Sequence, residues 1–132
     1  MSGAIRVLLT DDEEIYVESL ARVLRNRGLE VRTARDGPSA IEALATEGFD
    51  VVVLDLRMPG MDGLATLEEI RRRDDLTPVL LLTGHMDLER VATALKEGAA
   101  EVLIKPCPVD TLLSAIENAH ERRVAAREVT ER

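Results

Sequence analysis

The chain has 132 residues and is 45% hydrophobic but only 2% aromatic, so it can bury one core and that core must be aliphatic. Its net charge of −8 disfavours a direct nucleic-acid interface, which needs a basic face. It has no apolar run of the roughly eighteen residues that a membrane span needs. A single cysteine, Cys107, cannot form an internal disulfide, so the expected compartment is the cytoplasm.

IRVLL at 5–9 predicts a first strand that runs into Asp11-Asp12. Ile15, Ser19, Leu20, Val23 and Leu24 follow at helical spacing, and Gly28 marks that helix's end. EVRTA at 30–34 predicts a second strand, polar enough for a sheet edge. Pro38 sits near the start of a second helix with Ile41, Leu44 and Ala45 on its face, closed by Gly48. VVVL at 51–54 is a dense apolar strand that delivers Asp55. Asp62-Gly63 reads as a turn and cap before a third helix carrying Leu64, Leu67 and Ile70.

VLLL at 79–82 predicts a fourth strand ending at Thr83-Gly84. Asp87 then caps a fourth helix with Leu88, Val91, Ala92 and Leu95 on one face, and Gly98 follows it. EVLI at 101–104 predicts a fifth strand ending at Lys105-Pro106. Leu112, Leu113, Ile116 and Ala119 form the stripe of a fifth helix. The stripe ends there, so the expected domain covers 1–120, with 121–132 a solvated helix extension or the start of a linker.

Strands alternating with helices imply an α/β fold, a parallel sheet covered on both faces. Ligands bind such sheets beyond the carboxyl ends of the strands. Asp11, Asp12, Asp55, Thr83 and Lys105 all fall there, each group at a different strand's end. Three close carboxylates need a cation among them, and Mg2+ suits a few carboxylate oxygens with several waters. A metal, an ammonium and a hydroxyl around one aspartate are the equipment of phosphoryl transfer, with Asp55 as candidate nucleophile.

VLLTDDEE (7–14), VVVLDLRMPGMDGL (51–64), VLLLTG (79–84) and EVLIKP (101–106) together resemble the receiver domain of response regulators in two-component signalling. The likeness covers roughly residues 5–120. It implies a flavodoxin-like (βα)5 doubly wound sheet in the order 2-1-3-4-5, the order the fold is known for. It implies that Asp55 accepts a phosphoryl group from a phosphohistidine of a sensor histidine kinase or phosphotransfer protein. Asp12 would bind Mg2+ (or Mn2+) directly, Asp11 through water, and Arg57 through its backbone carbonyl. Thr83 and Lys105 would hold the phosphate, Lys105-Pro106 would be cis, and Gly84 would leave room for the donor. The partner surface would be helix 4, strand 5 and helix 5, toward an output domain or a dimer partner. Such a domain acts on itself and is not a turnover enzyme.

Receivers commonly carry an aromatic residue three positions before the lysine, and this chain has Val102 there. Switching is therefore expected to run through the loop after Thr83 and the fourth helix. His85 and Arg57 sit where the family varies, His85 being read mainly as a solvent-exposed side chain. A phosphohydrolase with an aspartyl nucleophile would want an aspartate at position 57, which is Arg. Neither glycine-rich nucleotide motif occurs. A degenerate receiver used only for contacts would not need the complete set of acids, threonine and lysine.

Overall fold

The computed structural model describes residues 3–73, 75–84 and 87–130. Five strands alternate with five helices: β1 (Arg6–Thr10), α1 (Glu14–Asn26), β2 (Glu30–Ala34), α2 (Gly37–Thr46), β3 (Val51–Leu54), α3 (Gly63–Arg72), β4 (Val79–Thr83), α4 (Leu88–Lys96), β5 (Glu101–Ile104) and α5 (Val109–Thr130). The strands form one sheet in the order β2-β1-β3-β4-β5, and every neighbouring pair is parallel. The polar β2 lies at an edge, as its composition requires.

Residues alternate between the sheet's two faces with the strand period of two. Val7, Leu9, Val51, Val53, Leu80, Leu82 and Leu103 pack with α1 and α5. Leu8, Val52, Leu54, Val79 and Leu81 pack with α2, α3 and α4. Both faces of β3 are therefore covered, which is why VVVL carries no polar alternation.

Asp36, Asp62 and Asp87 cap α2, α3 and α4, accepting from the backbone N–H of Ser39, Ala65 and Glu89 at 2.8, 2.9 and 3.1 Å. Gly28 and Gly98 close α1 and α4 at φ +95° and +105°, a conformation that favours glycine. Gly48 does not follow that pattern: α2 ends on Glu47 in an extended conformation, so the chain leaves without a left-handed residue.

Two helical faces differ from expectation. In α1 the buried stripe is Val17, Leu20, Ala21 and Leu24, while Ile15 is 84% exposed and Val23 38%. Val17 and Ala21 lie one turn apart on the side toward the sheet, so the helix is rotated from the stripe that Ile15, Ser19 and Val23 would define. In α4 Ala94 is buried and Val91 half-buried, while Leu88, Ala92 and Leu95 face outward. A small residue lets α4 approach the sheet and leaves its larger apolar side chains outside. Ala45 of α2 is likewise exposed.

Candidate functional site

Parallel pairing sets the site. Val7 pairs with Val51 and Thr10 with Leu54, so the next residues, Asp11 and Asp55, leave the sheet side by side. The Asp55 N–H donates to the Thr10 carbonyl at 3.0 Å, and the Asp11 N–H to Ala34 at 3.1 Å. Across the other edge, Thr83 pairs with Ile104, and the Lys105 N–H donates to the Thr83 carbonyl at 2.9 Å. Four chain segments thus deliver polar groups to one edge.

One carboxylate oxygen from each of Asp11, Asp12 and Asp55 lies within 4.8 Å of the other two. Asp11 and Asp55 are buried at 3% and 7% exposure, whereas Asp12 faces solvent. The Lys105 ammonium reaches across them, 2.7 Å from Asp11, 3.3 Å from Asp55 and 3.3 Å from Glu13. It also lies 4.5 Å from the centre of the Tyr16 ring. Three hard oxygen donors, one of them open to solvent, fit a small divalent cation that keeps several waters.

Burial pushes the Asp55 carboxyl above its ordinary value, and the Asp11 charge adds to this. The Arg57 N–H, donating to Asp55 at 3.2 Å, and the Lys105 ammonium oppose the shift without cancelling it. Burial alone would lower Lys105, but the hydrogen bond to Asp11 and the charges of Asp11 and Asp55 hold it above its ordinary value. The site is therefore a cluster of acids with too little positive charge of its own, the electrostatic signature of a place for a cation.

A family profile described as the response regulator receiver domain matches residues 7–117. The chain belongs to the response-regulator receiver family. It is 39% identical over 113 residues to the DNA-binding transcriptional regulator NtrC of Escherichia coli (strain K12), covering 86% of this chain and 24% of NtrC. It is 39% identical over 115 residues to the transcriptional regulatory protein ZraR of the same strain, covering 87% of this chain and 26% of ZraR. The chain thus spans about a quarter of the length of these curated relatives. Its fold superposes on NtrX from Brucella abortus with a TM-score of 0.89 at 35% identity, over 97% of this chain and 29% of that one. Receivers are the phosphoacceptor domains of two-component signalling, and this receiver has that role.

The expected site residues of the receiver are distributed as follows. Asp11, Asp12, Asp55 and Lys105 converge, and Thr83 is fully buried at the end of β4. The Lys105-Pro106 peptide is cis. Gly84 is exposed, and a methyl there would meet the Lys105 stem at an ordinary 3.9 Å, so packing does not demand glycine. Val102 is half-buried on the face of the sheet shared with α4. His85 lies outside the described residues.

Glu13, Tyr16 and Arg90 carry no sequence signal of their own, and Gly63 signals only a turn and cap. Glu13 and Tyr16 meet Lys105 only because α1 turns back over the sheet edge. Gly63 packs against the Asp55–Leu56 backbone so closely that a Cβ would sit 2.2 Å from the Asp55 carbonyl oxygen and 2.7 Å from the Leu56 Cα. Arg90 of α4 forms an ion pair with Asp62 and, with Asp12, Arg57 and Met58, lines a cavity of about 540 Å³ beside that loop.

Proposed function

We propose that Asp55 is the phosphoacceptor and that transfer to it is Mg2+-dependent. The observation that carries this reading is the meeting of Asp11, Asp12 and Asp55 within 4.8 Å, with Lys105 bridging two of them. An Asp55 oxygen attacks the phosphorus of a phosphohistidine, the P–N bond breaks, and the imidazole leaves with the electron pair. Asp12 and Asp11 would hold the cation, with the Arg57 backbone carbonyl as a further oxygen donor. The chemistry the cation would supply when bound is neutralisation of charge on the phosphoryl oxygens, and Mn2+ could take its place. Lys105 pairs with the acquired phosphate and Thr83 hydrogen-bonds it. Gly84 keeps the approach open to the donor.

The donor is a sensor histidine kinase or a phosphotransfer protein. The domain catalyses its own phosphorylation and dephosphorylation and turns over no separate substrate; Arg57 stands where a hydrolase of this chemistry needs an acid. The exposed Leu88, Leu95 and Ile104 support α4, β5 and α5 as the surface for an output domain or a dimer partner. The acidic charge argues that any nucleic-acid contact belongs to an attached domain. No described helix is long and apolar enough to cross a membrane, in keeping with work in the cytoplasm. The receiver proper is residues 1–120, and α5 continues beyond Ala119 as an exposed helix suited to a linker.

The test is chemical. The chain is incubated with a small acyl phosphate and Mg2+, reduced with borohydride, digested and mapped by mass. Homoserine in place of Asp55 is the expected product; modification at another aspartate, or at none, overturns the assignment.

A further inference from the structure

We propose that the Asp62–Arg90 ion pair ties α4 to the loop that carries Asp55, and that Arg90 is the positioning residue through which this receiver moves α4. The proposal rests on Asp55 being the phosphoacceptor and goes beyond it.

The chain of contacts is short. Gly63 lies against the Asp55–Leu56 backbone and donates its N–H to the Leu56 carbonyl at 2.9 Å. A contact that admits no Cβ has no slack, so a shift of the acceptor loop must displace the start of α3. Asp62 precedes Gly63 and is fixed on α3 in two ways. Its Oδ1 accepts from the Ala65 N–H at 2.9 Å, and its carbonyl accepts from the Thr66 hydroxyl at 2.7 Å. Its other oxygen, Oδ2, accepts from Arg90 in the first turn of α4. The Arg90 Nε is closed off from solvent and has no acceptor among the described residues, so the Asp62 carboxylate is what orients the guanidinium.

α4 is the element such a tether can move. Ala94 is its one fully buried side chain, while Leu88 and Leu95 are 74% and 48% exposed. A helix held by so little apolar contact has a low cost of displacement. Position 102 of β5 is a valine, which has no ring to reach toward this region. Coupling requires a physical link and an element that both ends bias, and the Asp62–Arg90 pair and α4 supply them.

The test is hydrogen exchange on the full chain, with and without Mg2+ and beryllium trifluoride as a phosphate mimic. It compares wild type with Arg90→Met, Arg90→Lys, Asp62→Asn and the Asp62→Asn/Arg90→Met double variant. Asparagine keeps the capping oxygen, so α3 retains its cap. In wild type the mimic should change exchange in α4 by about five-fold or more. In Arg90→Met and Asp62→Asn that ratio should fall toward one while β4 still responds. The double variant should be no worse than either single one, and Arg90→Lys should restore part of the response. An α4 response undiminished in Arg90→Met overturns the proposal, as does a wild type in which the Asp55 loop responds and α4 does not. A wild type in which no segment responds overturns the phosphoacceptor reading itself.

Discussion

Asp55 pays for its position with buried charge, and this has a measurable sign. Its folded pKa lies above the ordinary value because burial disfavours the carboxylate. Such a group contributes stability at pH below its unfolded pKa of about 3.9, and the contribution is lost as pH rises through the folded pKa. Without metal at neutral pH, Asp55→Asn should therefore raise Tm by roughly a few degrees. A calorimetric scan showing a lower Tm would contradict the description of the site as over-charged. Two glycines make a contrasting pair. Gly63→Ala drives a methyl into the Asp55–Leu56 backbone and should cost about 1–3 kcal/mol in denaturant unfolding while slowing phosphorylation. Gly84→Ala meets nothing closer than 3.9 Å and should change stability by no more than about 0.5 kcal/mol. At this scale the acids and Lys105 were legible because each follows an apolar strand run. Glu13, Tyr16 and Arg90 were not, since their partners are set by helix rotation and packing, which one-dimensional spacing does not encode.

At the scale of elements, the strands were legible almost to the residue, because β3 and the first four residues of β4 are unbroken apolar runs and parallel pairing needs both faces covered. The helical faces were less so. α1 carries apolar side chains at Ile15 and Val23 that face solvent, and periodicity alone does not distinguish an inward stripe from an outward one. α4 is the sharper case: its apolar stripe is real but largely unburied, so the pattern that marks core in α3 marks surface here. Leu88→Ser and Leu95→Ser should accordingly leave the unfolding free energy within about 0.5 kcal/mol of wild type. If they bind a partner they should instead weaken association, measured by sedimentation of the phosphorylated chain. The tether to α4 also has a pH signature. Burial would raise Asp62, but the Ala65 N–H and Arg90 outweigh it and hold its pKa below the ordinary value. A depressed carboxylate stabilises above its unfolded pKa of about 3.9 and ceases to do so as pH falls through the folded pKa. The destabilisation caused by Arg90→Met should thus be full at pH 7 and shrink below about pH 4, as read by chemical denaturation across that range.

For the whole molecule, the sheet order places Asp11, Asp12, Asp55, Thr83 and Lys105 at one edge, while α1 with α5 and α2 with α3 and α4 close the two faces. The order β2-β1-β3-β4-β5 was expected from resemblance rather than from periodicity, since alternation alone does not say which strands are neighbours. α5 runs on to Thr130 with most of the residues beyond Ala119 exposed, and the matched stretch is about a quarter of the length of NtrC and of ZraR. One aspartate, held among two others and a lysine, is proposed to take up a phosphoryl group when Mg2+ is present. Intact mass after incubation with a small phosphodonor tests this most directly. Wild type with Mg2+ should gain the mass of a single phosphoryl group, and neither the chelator-treated protein nor Asp55→Ala should gain any. A wild type that stays unmodified, or an Asp55→Ala variant that is modified to the same extent, would contradict the claim.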